Sequence, residues 1–219
     1  MIKTHYDLRL VSLFLLSVAV VSMTTQAATI TNGSFETNTS SSTYQSLYSG
    51  WGGTITGWDF STSPTAVLIG NTSGYEYATP YGDWQIDLTG ADNVAGPWAE
   101  TTITGLDVGQ LYDVNFFFGS STAWTGGGLP GVRLTIDGSY SQDFTHNPTS
   151  TMEWVSKTYS FTASASSQAL RFTNISTGFN GLANIDNISI SAAAVPEPGR
   201  VVLMIGGLCG VALRRRKQV

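Results

Sequence analysis

The sequence predicts an all-β sandwich set between two hydrophobic ends, and three observations predict it. Apolar and polar residues alternate with a period of two through much of the middle of the chain. No window of helical length there repeats its apolar residues every 3.6 positions. Ser, Thr, Asn and 24 glycines run through all 219 residues with aromatic and β-branched residues between them. Such a composition belongs to strands joined by many turns, and eight or more short strands in one domain imply two packed sheets.

Residues 1–27 read as a secretory signal rather than as part of the fold. Lys3 and Arg9 form a basic start, Leu10 to Val21 an apolar helical segment, and Thr25-Gln26-Ala27 a small-residue cleavage site. The apolar run is about 12 residues, short of the ~20 that a membrane-spanning helix needs.

Residues 28–194 form the expected domain. In Leu111 to Phe118, Tyr112, Val114, Phe116 and Phe118 share one parity, while Asp113 and Asn115 fall on the other. Val132, Leu134 and Ile136 alternate with Arg133, Thr135 and Asp137, and Trp84, Ile86 and Leu88 with Gln85 and Asp87. Tyr159 and Phe161, then Leu170 and Phe172, follow the same rule. Asp137-Gly138 reads as a hairpin turn. The loops 44–57, 71–82, 91–98 and 120–131 are richest in irregular signals and are the expected carriers of function.

The domain is acidic. Residues 28–194 hold 13 acidic side chains against Arg133, Lys157 and Arg171, a formal charge of −10. That field repels phosphates and excludes nucleic acid as a partner. It suits divalent cations and neutral sugars. Cys209, the one cysteine, lies outside this region, so the domain has no disulfide.

Residues 195–219 form a sorting tail. Val195-Pro196-Glu197-Pro198 precedes an apolar segment, Val201 to Leu213, and the basic cluster Arg214-Arg215-Arg216-Lys217. Basic residues beside an apolar segment stay on the cytoplasmic side. Thirteen helical residues reach roughly 20 Å across a ~30 Å hydrocarbon core, a transient stop in the inner membrane rather than a lasting anchor.

The Pro196, Glu197, Pro198 signature, the short transmembrane helix and Arg214, Arg215 and Arg216 resemble a PEP-CTERM sorting signal. The resemblance implies a Gram-negative bacterium that makes exopolysaccharide. It also implies an exosortase-type enzyme as processing partner, and a final address at the cell surface or in the extracellular matrix. In the domain, Asn32-Gly33-Ser34-Phe35-Glu36, Gly57-Trp58 and Asn184 to Ile190 resemble the galactose-binding-like jelly rolls. These include carbohydrate-binding modules and the choice-of-anchor domains of sorted bacterial proteins. The resemblance implies a jelly-roll sandwich with a structural Ca²⁺ near its first and last strands, for which Glu36 and Asp186 are the matching ligands. Asp186 shares parity with Ile188 and Ile190, so it is expected to point toward the core, where a carboxylate is costly unless paired or coordinated. The alternative for Asp186 is capping of backbone N–H groups in a loop.

Of the six tryptophans, Trp58 and Trp84 sit beside strand patterns and read as core. Trp51, Trp98 and Trp124 lie among Gly, Pro, Ser and Thr, as lids over the core or as platforms for the apolar face of a sugar. Trp98 and Trp124 are the candidates for ligand binding, with Asp83, Gln85 and Glu100 among the polar groups nearby. No nucleophile elbow and no zinc-spaced histidines occur, and His146 reads as a solvated loop residue. No catalytic residue is assigned. The expected function is a non-catalytic glycan-binding, matrix or adhesion component, with extracellular polysaccharide as partner. The alternatives are a secreted carbohydrate-active enzyme and a purely structural surface protein.

Overall fold

A computed structural model describes residues 27–71, 78–90, 94–121, 128–138, 140–177 and 182–193. The signal segment, Trp124, the Pro196, Glu197, Pro198 motif and Arg214, Arg215 and Arg216 lie outside the described residues. Among those described, no helix is long and apolar enough to cross a membrane.

The strands in chain order are β1 (Thr29–Ile30), β2 (Tyr44–Ser46), β3 (Trp58–Phe60), β4 (Val67–Gly70), β5 (Trp84–Asp87) and β6 (Trp98–Thr104). They continue with β7 (Leu111–Ser120), β8 (Gly131–Ile136), β9 (Tyr140–Thr145), β10 (Glu153–Thr162), β11 (Ser167–Asn174) and β12 (Asn184–Ala192). Two antiparallel sheets result. The first runs β1-β6-β11-β8-β9, with β3 sharing the β1 edge of β6; the second runs β10-β7-β12-β5-β4-β2. From β5 onward the chain passes repeatedly between the sheets, so strands adjacent in sequence are mostly not partners.

The core between the sheets is built by the predicted alternation. Tyr112, Val114, Phe116 and Phe118 of β7 meet Val132, Leu134 and Ile136 of β8 and Leu170 and Phe172 of β11, all buried. Phe116 stands edge-on to both Phe144 and Phe172, with ring centroids 5.2 and 5.0 Å apart, the arrangement that the ring quadrupoles favour. Trp58 is buried beside Phe35 at 4.9 Å, and its indole N–H donates to the Thr31 and Asn32 carbonyls. Trp84, expected in the core, is half-buried at its margin. Asp137 and Gly138 both take positive φ, 47° and 71°, at the β8–β9 turn.

Two features depart from simple alternation. Strands β4 and β5 are buried on both faces: Val67, Ile69 and Leu182 form a second small cluster on the outer side, and Gln85 and Asp87 are also buried. In β12, the register with β7 slips between Asp186 and Ser189, where Asn187 adopts φ 47°. This bulge inserts one extra residue and reverses the parity of the strand. Ile185 pairs with Phe118 on the core side before it, and Ile190 with Val114 after it. Asp186, opposite Phe117, therefore turns away from the side that Ile185 faces. The expectation that it points into the core with Ile188 and Ile190 is corrected. It is nonetheless fully buried.

Candidate functional site

The loop from Leu47 to Gly57 builds an aromatic cleft. The Trp51 N–H donates to the Tyr48 carbonyl at 2.9 Å, closing a tight turn around Gly50. A Cβ on Gly50 would lie 2.7 Å from the Tyr48 ring, and one on Gly53 would lie 2.4 Å from the Trp51 indole. Both rings thus rest against bare backbone that only glycine provides. Tyr48 is 52% exposed, while Trp51 is half-buried and also packs on the core.

The far end of this loop is tied to the opening segment of the domain. The Thr56 N–H donates to the Thr37 carbonyl, the Thr54 N–H to the Thr39 hydroxyl, and the Asn32 amide to the Thr37 and Thr56 carbonyls. Between the loop and β3 opens a cleft of about 520 Å³, lined among others by Tyr48, Trp51, Thr54, Thr56, Asp59 and Phe60. Its size suits a small ligand, and aromatic faces beside hydroxyls and a carboxylate suit a sugar ring.

The same opening segment carries Glu36, just after Phe35 at φ 61°. Glu36 Oε1 accepts from the Asp83 and Trp84 N–H groups at 2.9 and 3.0 Å, and the carboxylate lies against the backbone of Gly82. Near it is Asp186, whose Oδ1 accepts from the Asn187 N–H at 2.6 Å. Asp186 Oδ2 is buried without a hydrogen-bond partner. Burial pushes the Asp186 carboxyl up to about 8, against the pull of the Asn187 and Tyr81 N–H groups and with help from the Glu36 charge. Two neighbouring carboxyl groups and an orphaned buried oxygen are donors of the kind a hard cation takes. Among the described residues no cluster of three His, Cys, Asp or Glu side chains exists, so such an ion would draw its other ligands from carbonyls and water.

Trp98 opens β6 on the outer face of the first sheet, half-buried. The Arg171 guanidinium lies 4.2 Å from its ring centroid, and Arg171 Nε donates to Glu100 Oε2 at 2.8 Å. One face of the indole is therefore already occupied by a cation. Gln85 is buried in the second sheet, where it accepts from the Asn184 amide at 2.6 Å. Asp83 is tied to Glu36 through its N–H. Neither Gln85 nor Asp83 joins Trp98. His146 is half-buried, its Nε2 3.4 Å from Glu153, and so is not the solvated residue expected. The sequence leaves Trp51 as either a lid or a platform and does not single out Tyr48. The signal was present in Tyr48-Ser49-Gly50-Trp51-Gly52-Gly53, where a serine and three glycines flank the two rings.

No family model matches the chain. Halomucin of Haloquadratum walsbyi is 28% identical over 173 residues, 76% of this chain, which spans 2% of halomucin's length. Solved structures similar to this chain include carbohydrate-binding modules. TmCBM61 in complex with β-1,4-galactotriose aligns with TM-score 0.45 and 13% identity over 74% of this chain and 97% of its own. A family 35 carbohydrate-binding module from Clostridium thermocellum aligns with TM-score 0.40 and 18% identity over 62% and 92%.

Proposed function

We propose that this protein is an exported, non-catalytic glycan-binding component of the cell surface or exopolysaccharide matrix, with its sugar contact in the Tyr48–Trp51 cleft. The observation that carries the reading is the seating of two aromatic rings on Gly50 and Gly53 at the mouth of an open cleft lined with hydroxyls. On this reading the domain is a jelly roll of the carbohydrate-binding kind. Residues 1–27 and 195–219 are its export and sorting segments, and an exosortase-type enzyme removes the tail during a transient stop in the inner membrane. Trp124 serves as a secondary contact, and Trp98 acts through the Arg171 guanidinium that lies on it.

Ca²⁺ at Glu36 and Asp186 belongs to the same proposal. The two carboxylates would hold it, and its charge would satisfy the Asp186 oxygen that has no partner. The ion would then brace the segment hydrogen-bonded to the cleft wall at Thr54 and Thr56.

The test is retardation of the folded domain in native gels cast with galactan, xylan or mixed-linkage β-glucan. Retention by one of these is expected, and Tyr48→Ala should weaken it about tenfold, the loss of a central aromatic anchor. No retention by any neutral polysaccharide, or release of shortened sugars during the run, would overturn the reading. Fractionation of native cells checks the address: a full-length chain in the cytosol would contradict it.

A further inference from the structure

We infer that the ligand is the interior of a long, uncharged polysaccharide chain, laid across the strands of the first sheet from the aromatic cleft to the Arg171–Glu100 pair. This rests on the glycan reading above and extends it to a ligand class.

The cleft does not end at β3. Gly57, Trp58 and Asp59 also line a second depression, of about 390 Å³, which continues over Thr102 and Thr104 of β6. A third, of about 380 Å³, is lined among others by Glu100, Thr135, Asp137, Ala169, Arg171 and Thr173. The strand register joins them. Asp59 pairs with Glu100, Glu100 with Arg171, Arg171 with Thr135, and Thr135 with Ser141, one polar row across five strands. At about 4.8 Å per strand the row spans roughly 19 Å, room for several sugars. Asp59 and Ser141, at its two ends, are exposed, so neither side chain closes the track.

The chemistry along the row fits neutral hydroxyls. Arg171 spends its Nε on Glu100 and its face on Trp98, and its terminal nitrogens have no partner among the described residues. A guanidinium fork beside a carboxylate offers donors and an acceptor together, the pairing that adjacent hydroxyls on one sugar satisfy. A polyanion is disfavoured. Among the described residues, Asp59, Glu100, Asp137 and Asp143 share this face with two arginines, and Arg133 is already bidentate to Asp143. On this account Trp98 is a positioning residue that props Arg171, rather than a bare stacking platform.

The experiment is calorimetric titration with oligosaccharides of two to six sugars cut from whichever polysaccharide retards the protein. Affinity should rise at least tenfold from dimer to hexamer. Arg171→Ala should erase that gain, and Tyr48→Ala should weaken every length alike. Thr135→Trp, which fills the track without removing the Arg171–Glu100 pair, should act like Arg171→Ala and guards against misfolding of that variant. Affinity that is flat with length, or a hexamer indifferent to both track variants, overturns the extended track and leaves the cleft standing. Failure of every polysaccharide to retard the protein overturns both.

Discussion

Asp186 is the residue whose environment is least comfortable. A carboxyl group buried with one oxygen unpartnered and a second carboxylate nearby favours its neutral form, hence its rise to about 8. The unfolded chain ionises the same group near 4. The folded state therefore holds a proton that the unfolded state has lost, and stability falls as pH climbs through that interval. Asp87, raised by burial to about 6, adds to the loss at the acid end only. From pH 6.5 to 8 the metal-free domain should lose about 2 kcal/mol, a drop of several degrees in Tm. Asp186→Asn should abolish that drop in chelator. Added Ca²⁺ should raise the wild-type Tm at pH 7.5 and leave Asp186→Asn unmoved. A wild-type midpoint indifferent to Ca²⁺ removes the metal from the proposal, and one indifferent to pH removes the buried charge.

At the level of the element, the closing strand and the sheet edges show how sequence pattern is turned to use. The bulge in β12 frees the Ile188 N–H from the ladder, and it donates to the Gly33 carbonyl at 2.8 Å. That contact brings the opening segment onto the closing strand so tightly that a Cβ on Gly33 would fall 1.9 Å from the Ile188 oxygen. Strand β10 forms one edge of the second sheet. Its Lys157 pairs with Phe116, so it shares the core-facing side of the sheet with Tyr159 and Phe161. No partner for Lys157 exists among the described residues, and this half-buried, inward-facing charge discourages another strand from adding to the edge. Lys157→Leu should therefore raise the denaturation midpoint slightly while making the protein associate as its concentration rises, read by light scattering after size exclusion. A variant that stayed monomeric at high concentration would deny the lysine that role.

For the molecule as a whole, charge decides what kind of ligand can approach. With 13 acidic and three basic side chains over residues 28–194, long-range steering favours cations and disfavours polyanions. Binding to a neutral glycan releases no counterions, so affinity for the retained polysaccharide should be the same within twofold at 50 mM and 500 mM NaCl. A steep fall with salt would instead mean that Arg133 and Arg171 read an anionic polymer. The fold holds this field without disulfides, on the aromatic core between two six-stranded sheets.

Strand identity was legible because burial on one face forces a period of two, and Tyr112 to Phe118, Val132 to Ile136 and Leu170 to Phe172 obey it. So were the turn at Asp137-Gly138 and the acidic field. Three things were settled only by the tertiary structure. The bulge at Asn187 reversed the side that Asp186 takes, because a single extra residue carries no signature in composition. The second cover over β4 and β5 buried Gln85 and Asp87, because segments distant in sequence supply it. The choice of Tyr48 and Trp51 over Trp98 followed from what each ring touches: Tyr48 and Trp51 line a cleft, and Arg171 covers one face of Trp98. Alternation is a local property that each strand carries in its own residues, whereas the neighbours of a ring or a carboxylate exist only once distant strands have met.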